Sequence, residues 1–406
     1  MHKFNTKNYF YVYLEEVKQA YKFETKEERQ DFIEQDVEEI LKDSEPLMSI
    51  GPKTRRGLFL NIANTCNMRC TYCFANQGNY GKKPGIMDSG TARKAVDYFI
   101  RMTEPCFQIN IIFFGGEPLV NFPVIVETVN HVNKTYSNRD IKFHLVTNAT
   151  LLSKKRIDFL SEHNFSLGVS IDGCREIQNK QRPLINGKDS YYETTKHLEY
   201  ILKRMNNVHA RGTYVDFNEP LVDAYRSLLK LGFREVSIPP DVLGCKNINQ
   251  YERLEYQLDL LFEYIVDYAN KTFTLPFGIY IESLRRLFMQ KIDVEYTCGL
   301  GEDILSIDYN GNIYPCHRFS SEEKFKIGNI DDYVNTKELE FTSTICNACW
   351  NRYTCSHGCH YNDYILEKGE NKKNPLWCKY AKKLTEQSIK LCESLPKELI
   401  EEYCLK

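Results

Sequence analysis

Long hydrophobic runs, an excess of charge of one sign and a basic N-terminal region are all missing from this 406-residue sequence. No apolar stretch approaches the ~20 residues that a membrane-spanning helix needs. The start, MHKFNTKNYFYVYLEE, lacks the basic region and apolar stretch of a secretion signal. A formal net charge of −2, with acidic and basic residues mixed, provides neither a basic stripe for a nucleic acid nor a polybasic membrane anchor. We therefore expect a cytoplasmic protein with neither a nucleic acid nor a membrane as partner.

Cysteine, by contrast, is abundant, with 15 residues in the chain. A reducing compartment argues against a disulfide framework, and a chain long enough for two or three domains does not need one. The cysteines are better interpreted as metal ligands. Ten fall into three spaced groups: Cys66, Cys70 and Cys73; Cys298 and Cys316; and Cys346, Cys349, Cys355, Cys359 and Cys378. The five isolated cysteines are expected to be small buried hydrophobic residues.

Strand and helix patterns alternate through the middle of the chain. The predicted strands are GLFLNIA, QINIIFFGG, KFHLVTN, SLGVSID, VHARGTYVDF and EVSIP, with amphipathic helical segments between them. Six such units predict an α/β fold whose parallel sheet is wrapped as a full or partial barrel. The cysteine loop, GGEP, TNAT and SIDG all follow strands, so they are expected to meet at the carboxyl ends of the sheet.

The sequence predicts four regions. Residues 1–57 combine a hairpin of alternating aromatic residues with an acidic helix, as either a cap on the barrel or a module that captures a peptide by strand addition. Residues 58–245 form the barrel, and residues 246–297 a helical connector. Residues 298–406, rich in cysteine and glycine, form a loop-rich domain held by something other than a large core.

The loop TCNMRCTYCFANQGNYG provides three thiolates, at Cys66, Cys70 and Cys73. Three thiolates on a [4Fe-4S] cluster leave one iron with an open position for a small chelating ligand. Structural zinc prefers four protein ligands, and no nearby His or Cys completes such a set.

This stretch, CNMRCTYC, resembles the signature of the radical S-adenosylmethionine (SAM) enzymes. The resemblance implies a partial (β/α)6 barrel, with Cys66, Cys70 and Cys73 as ligands of the cluster that cleaves SAM to methionine and a 5′-deoxyadenosyl radical. It also implies that Tyr72 lies beside the adenine.

Other motifs are assigned to SAM through the same resemblance. In FFGGEP, the glycines allow close backbone approach and the carboxylate accepts from an ammonium group. TNAT, SIDG and NKQRP add amide, hydroxyl, carboxylate and guanidinium groups for the ribose and carboxylate of SAM. The residues so assigned are Gly115, Gly116, Glu117, Pro118, Asn148, Ser170, Asp172 and Arg182.

The second cysteine field resembles the SPASM domain of radical SAM peptide maturases. That resemblance implies two auxiliary [4Fe-4S] clusters, three in all. One is bound by Cys346, Cys349, Cys355 and Cys378, and the other by Cys298, Cys316 and Cys359. The second set has only three cysteines, so its fourth ligand is water, another side chain or a substrate thiolate. Zinc knuckles are the alternative for this field.

The two motif regions together look most like enzymes that install thioether crosslinks in ribosomally synthesised peptides. The implied partners are a precursor peptide and an electron donor such as flavodoxin or ferredoxin. The sulfatase-maturase branch, which forms formylglycine, has an Asp where this chain has His317, which could still move a proton. Carbon-carbon crosslinking and epimerisation of a peptide stay open, as does a non-catalytic, zinc-binding scaffold. The N-terminal region, with a possible hairpin and one helix, is shorter than the usual leader-binding module.

Overall fold

The structure, a computed structural model, describes residues 1–5, 9–14, 16–42, 56–245, 247–288, 298–301, 303–332, 346, 348–355, 358–367 and 374–404. The chain divides into two compact units. The barrel unit holds residues 53–244 and 298–340, and the helical unit holds residues 1–52, 245–297 and 341–406. Across the described ranges, no helix is both long and apolar enough to cross a membrane.

The N-terminal part of the helical unit is a small antiparallel sheet packed on two helices. Its elements are β1 (His2–Asn5), β2 (Phe10–Leu14), β3 (Gln19–Phe23), α1 (Lys26–Gln35) and α2 (Val37–Lys42). Thr25 and Glu28 form a capping box that starts α1. Val12, Leu14 and Val37 are the buried core. The predicted hairpin is present as β2 and β3, the single helix expected in TKEERQDFIEQDVEEILKD is divided into α1 and α2, and β1 was missed.

The barrel unit follows the alternating order that the sequence predicts. Its strands are β4 (Gly57–Ala63), β5 (Ile109–Gly115), β6 (Ile141–Thr147), β7 (Ser166–Ser170), β8 (Val208–Arg211) and β9 (Val236–Ser237). Its helices are α3 (Ser89–Arg101), α4 (Phe122–Thr135), α5 (Lys154–Glu162), α6 (Arg175–Gln181), α7 (Ser190–Thr195), α8 (Leu198–Arg204) and α9 (Leu221–Lys230). All six strands are parallel and pair in chain order, which confirms the predicted parallel α/β sheet.

The two faces of this sheet differ in burial. Along β5, Ile109, Ile111 and Phe113 are fully buried, whereas Asn110, Ile112 and Phe114 between them are half-buried. Because successive side chains of a strand point to opposite faces, the buried set packs beneath the helices and the half-buried set lines the opposite face. We call that second face the inner face.

The remaining elements complete both units. In the helical unit, α10 (Ile248–Thr272) and α11 (Gly278–Phe288) precede α12 (Arg352–Cys355), α13 (His360–Glu367), α14 (Pro375–Ser394) and α15 (Lys397–Cys404). In the barrel unit, β10 (Ile304–Ile307), β11 (Asn312–Tyr314) and β12 (Gly328–Asn329) extend the sheet. Strand β10 pairs parallel with β4, so the sheet has nine strands in the order β12-β11-β10-β4-β5-β6-β7-β8-β9.

Some predicted elements differ in extent. The single helix expected in YETTKHLEYILKRM is two helices, α7 and α8, and the strand expected in VHARGTYVDF ends at Arg211. A side chain at the next residue, Gly212, would come 2.8 Å from the Ile171 carbonyl oxygen, so neighbouring backbone crowds this point. The long helix expected from about residue 249 to 271 is confirmed as α10. Residues 298–340, expected in the C-terminal domain, group with the barrel in the structure. The predicted domain boundaries stay predictions.

Candidate active site

The loop that carries Cys66, Cys70 and Cys73 leaves the carboxyl end of β4 and is fixed by backbone pairing. Arg69 N donates to Pro183 O at 2.8 Å, and Thr71 N donates to Gln181 O at 2.9 Å. Burial above all, then the Glu117 carboxylate and the neighbouring Cys70 and Cys73 thiols, raise the pKa of Cys66 to about 12. The three cysteines therefore share one electrostatic environment, and a metal that binds there displaces thiol protons.

The GGEP segment packs directly on this loop. Gly116 N donates to Ala63 O at 2.6 Å, and Glu117 N donates to Thr65 O at 2.9 Å. A Cβ atom on Gly116 would lie 2.3 Å from Thr65 O, and Gly115 has a φ of 139° that favours glycine. The close backbone approach expected of these glycines is thus made to the cysteine loop, while Pro118 begins a buried 3₁₀ turn. Their contact with SAM stays a prediction.

The Glu117 side chain is almost fully buried and accepts three hydrogen bonds. Leu119 N and Thr147 Oγ1 donate to Oε1 at 3.0 and 2.6 Å, and Asn148 N donates to Oε2 at 2.8 Å. Burial raises the pKa of Glu117, and these hydrogen bonds oppose the rise. A carboxylate accepts about four hydrogen bonds, so one position is left for the ammonium group predicted from the sequence.

Asn148 connects the end of β6 to the cysteine loop. Its Nδ2 donates to Asn67 Oδ1 at 2.8 Å and lies 4.0 Å from Cys66 Sγ, while its Oδ1 accepts from Thr150. Asn67 donates in turn to Thr150 Oγ1 at 2.8 Å. Asn67 and Thr150 were not among the predicted site residues, although they lie inside the motifs CNMRCTYC and TNAT.

Three other predicted site residues contact one another. Tyr72 OH donates to Asp172 Oδ1 at 2.8 Å and Oδ2 at 2.7 Å, and Arg182 Nη1 donates to Tyr72 OH at 2.6 Å. Burial raises the pKa of Asp172, and Arg182, Tyr72 and a hydrogen bond from Thr213 N oppose the rise. Ser170 ends β7, half-buried on the inner face beside Arg211 of β8. The structure brings these groups together, and their roles toward SAM stay predictions.

His317 lies on the inner face within a set of aromatic rings. Its ring centroid is 4.3 Å from that of Phe59, 4.6 Å from Phe114 and 5.8 Å from Phe74. Its Nδ1 lies 3.6 Å from Cys316 Sγ. Burial, followed by the charges of Arg318 and Arg211, lowers the pKa of His317 to about 3. The imidazole is therefore neutral and is a weak base.

The second cysteine field is divided between the two units. Cys298 and Cys316 belong to the barrel unit, where Gly301 N donates to Pro315 O at 3.0 Å and ties the two turns together. Cys346, Cys349, Cys355 and Cys378 belong to the helical unit. Burial, with Cys378 next and Cys349 after it, raises the pKa of Cys355 to about 12. Burial and then Cys346 and Cys349 raise that of Cys378. Cys378 therefore interacts electrostatically with each of the other three thiols. Cys359 lies in the same unit, and its pairing with Cys298 and Cys316 stays a prediction.

The residues around both cysteine groups fit an additional bound group. Near Cys70, the Arg182 Nε and Gln181 Oε1 atoms are buried and have no hydrogen-bond partner among the described residues. The helical unit has further buried polar atoms without a hydrogen-bond partner among the described residues. They lie between its cysteines in the sequence and are Asn351 Oδ1, Asn351 Nδ2 and Asn374 Nδ2. Buried polar atoms normally have partners, so these unsatisfied atoms, beside clustered thiols, fit sites that a cofactor completes.

Comparisons with known proteins agree with this geometry. Residues 60–228 match the model of the Radical SAM superfamily. An uncharacterized protein of Methanocaldococcus jannaschii is 35% identical over 303 residues, which cover 72% of this chain and 94% of that protein. The radical SAM cyclopropyl synthase TigE of Paramaledivibacter caminithermalis is 29% identical to this chain, and the matched residues cover 68% of this chain and 60% of TigE. A cysteine-type anaerobic sulfatase-maturating enzyme of Clostridium novyi is 26% identical over 80% of this chain and 93% of that enzyme.

The fold is also found in solved structures. Native anSMEcpe with bound AdoMet and Cp18Cys peptide superposes with a TM-score of 0.68 at 20% identity, covering 88% of this chain and 99% of that one. The chain belongs to the radical SAM superfamily of enzymes, which bind SAM and a [4Fe-4S] cluster. Its C-terminal part is rich in cysteine, and the assignment of that part to the SPASM type stays a prediction.

Proposed function

We propose that this enzyme installs thioether crosslinks, from a Cys sulfur to a carbon of another residue, in a ribosomally synthesised peptide. One contact carries the proposal. Phe74, which follows Cys73, lies against the ring of His317, which follows Cys316, at 5.8 Å. The loop predicted to bind the SAM-cleaving cluster and a cysteine predicted to bind an auxiliary cluster therefore meet at the inner face. A peptide held at that face would be close to both.

Ten cysteines would hold three [4Fe-4S] clusters. Cys66, Cys70 and Cys73 would bind the first, and Cys346, Cys349, Cys355 and Cys378 another, with Cys298, Cys316 and Cys359 for the third. When bound, the first cluster and SAM supply a radical that abstracts hydrogen, and the auxiliary clusters supply electron acceptors. An external carrier such as flavodoxin or ferredoxin would supply the starting electron.

The side chains of the site would position the reactants and exclude water. Glu117 and Asn148 hold the cysteine loop through the hydrogen bonds described above. The rings of Phe59 and Phe114 cover His317 and make the surroundings of its imidazole apolar. Such enclosure keeps hydrogen-atom donors and reductants from solvent away from a carbon radical before the sulfur reaches it.

The proposed reaction balances as an oxidation by two electrons. One hydrogen atom leaves a substrate carbon, the Cys thiol loses its proton, the carbon-sulfur bond forms, and the remaining electron passes to an auxiliary acceptor. His317 is our candidate for holding Cys316 Sγ from Nδ1, and its low basicity weighs against a further role in moving the thiol proton.

Formylglycine formation is a second candidate. The similarity to sulfatase-maturating enzymes, 26% identity over 93% of one of them, favours it as strongly as it favours other peptide chemistry. In that reaction a Cys or Ser of a sulfatase would be oxidised at the same inner face. The His317 position, where that branch typically has an Asp, weighs against it.

The products distinguish these reactions. The anaerobically reconstituted enzyme is incubated with SAM, a reductant and the small cysteine-containing peptide encoded beside its gene. A loss of about 2 Da with fewer alkylatable thiols supports the thioether, and the same loss with all thiols retained means a carbon-carbon link. A loss of about 18 Da from a Cys means formylglycine. Cys298→Ala is expected to cleave SAM without crosslinking. Cys106→Ala should crosslink normally, because this isolated cysteine is exposed, not buried as expected from the sequence, and belongs to none of the three cysteine groups.

A further inference from the structure

Both tryptophans of the chain adjoin a cysteine of the helical unit. Trp350 follows Cys349, and Trp377 precedes Cys378 in the first turn of α14. These cysteines belong to the set assigned above to one auxiliary cluster, which we call the four-cysteine group. Its members are Cys346, Cys349, Cys355 and Cys378. The two indole rings adjoin the same group of thiols, so a difference between their surroundings shows what each can do.

The Trp377 indole packs against the backbone beside Cys355. Gly358 N donates to Cys355 O at 3.4 Å, which holds these two residues together. A Cβ atom on Gly358 would lie 2.7 Å from Trp377 Nε1 and 2.8 Å from its Cδ1. The φ of Gly358 is 77°, which also favours glycine. The absence of a side chain at position 358 therefore lets the N–H edge of the indole come close to Cys355.

The indole N–H group is buried and incompletely satisfied. Trp377 Nε1 makes no hydrogen bond of full geometry within the described ranges. An indole nitrogen can only donate, and buried donors normally have an acceptor. The acceptor that it faces is the Cys355 sulfur. Burial above all raises the pKa of that thiol, and donation from the Trp377 indole opposes the rise. The donor is therefore in place for a sulfur that carries negative charge.

Trp350 differs because the face of its ring is covered. It stacks on the ring of His2 in β1, with centroids 3.7 Å apart and planes 3° from parallel. Tyr13 of β2 meets the same ring edge-on at 6.0 Å. Trp350 therefore connects the four-cysteine group to the N-terminal sheet by packing, whereas Trp377 brings a hydrogen-bond donor to Cys355.

We propose that the Trp377 indole N–H donates a hydrogen bond to the Cys355 sulfur of a bound auxiliary cluster and raises the reduction potential of that cluster. This inference rests on the proposed function, since it requires a cluster at the four-cysteine group. Reduction by one electron adds negative charge to the cluster, so a donor to sulfur stabilises the reduced form more than the oxidised form. The cluster is then a better acceptor for the electron that leaves the substrate. Trp377 is a positioning residue, because it acts through Cys355.

A redox titration followed by electron paramagnetic resonance tests this proposal. The protein is the full chain with Cys66→Ala, Cys70→Ala and Cys73→Ala, which removes the SAM-cleaving cluster, reconstituted anaerobically with iron and sulfide. The resonance of the four-cysteine group is identified as the one that the further change Cys378→Ala removes. Its midpoint potential is then compared between variants.

Trp377→Phe keeps an aromatic ring but removes the N–H group. We expect the ratio of reduced to oxidised cluster at a fixed potential to fall about 10-fold in this variant, which for one electron is a shift of about 59 mV to lower potential. Trp350→Phe is the matched control, because it makes the same change beside another cysteine of the group. It should keep the native potential.

A second readout detects the hydrogen bond itself. With ¹⁵N at the indole nitrogen of both tryptophans, electron-nuclear double resonance of the reduced cluster should show an isotropic ¹⁵N coupling, which requires orbital overlap along the N–H···S hydrogen bond. Trp350→Phe should retain this coupling, and Trp377→Phe should lose it. A role of Trp377 in packing alone would produce no isotropic coupling.

The outcomes separate this inference from the proposed function. An unchanged potential in Trp377→Phe with a full iron content, or an equal shift in Trp350→Phe, would overturn the inference and leave the proposed function intact. If Trp377→Phe binds less iron, the chain with both labelled tryptophans decides, and absence of the ¹⁵N coupling there rejects the hydrogen bond. Colourless protein after reconstitution, without the roughly 8 iron atoms of two auxiliary clusters, would contradict both.

Discussion

The hydroxyl group of Tyr72 donates to both carboxylate oxygens of Asp172, although the two residues are 100 positions apart in the chain. Tyr72 lies between Cys70 and Cys73, and Asp172 follows β7 on the far side of two intervening strands. This contact therefore fixes the cysteine loop to the sheet. Arg182 donates to the same hydroxyl group and neutralises the buried carboxylate.

Replacing Tyr72 by phenylalanine should destabilise the loop. Tyr72→Phe removes a donor from a buried carboxylate, which costs about 1.5–3 kcal/mol for a hydrogen bond to a charged group. We expect that loss in the free energy of unfolding measured by urea denaturation, with less iron bound after reconstitution. Tyr192→Phe, a change at an exposed tyrosine, is the control. If the two variants have the same stability, Tyr72 does not anchor the loop.

Gly116 should tolerate no side chain. In Gly116→Ala the added Cβ would meet the Thr65 and Gly78 carbonyl oxygens at 2.3 and 2.6 Å, and overpacking of this kind costs roughly 1–3 kcal/mol. Because the clash is with backbone, the cysteine loop must move. We expect the absorbance near ~400 nm per chain to fall by at least half, with far-ultraviolet circular dichroism unchanged. Gly90→Ala, within α3, should keep the native absorbance, and a native spectrum for Gly116→Ala would contradict this account.

The number of clusters can be counted from variants. Three [4Fe-4S] clusters require about 12 iron atoms per chain, and loss of one leaves about 8. The triple change of Cys66, Cys70 and Cys73 to alanine and the single change Cys355→Ala should each come close to the lower value. Cys106→Ala should retain the full complement. Colourless, zinc-containing protein would instead restore the zinc-binding scaffold, and a native content near 4 would leave only the SAM-cleaving cluster.

The sequence predicted the order of the barrel elements well because their signals are local. GLFLNIA alternates with period two, INIIFFG is a short apolar run that ends in glycine, and the amphipathic helices between the strands leave parallel pairing as the simplest connection. Glycine at positions 115 and 116 and the spacing of Cys66, Cys70 and Cys73 are also local features. The glycine turn and the cysteine loop could therefore be predicted from the sequence without knowledge of any tertiary contact.

The missed features depend on contacts between distant segments. Strand β10 extends the barrel sheet by pairing with β4, since Ile304 lies opposite Gly57, 247 positions earlier, and no local pattern specifies that partner. The aromatic rings around His317 likewise belong to separate segments, at Phe59, Phe74 and Phe114. Arg211 was missed because a single arginine at a strand end has no motif. Its neighbour His317 was found only because it follows a cysteine.

His209 should make the enzyme less stable in mild acid. Burial, followed by the charges of Arg211 and His144, lowers the pKa of His209 to about 4 from an unfolded value near 6.5. Between these values the unfolded chain binds the proton and the folded chain does not, so the free energy of unfolding falls as the pH is lowered from 6.5 toward 4. From pH 7 to pH 5 this histidine should account for roughly 1–2 kcal/mol of lost stability. His209→Gln should remove that share of the pH dependence in urea unfolding at the two pH values. His197→Gln, at a histidine outside the inner face, should leave it unchanged, and an equally steep loss in His209→Gln would show that other groups titrate instead.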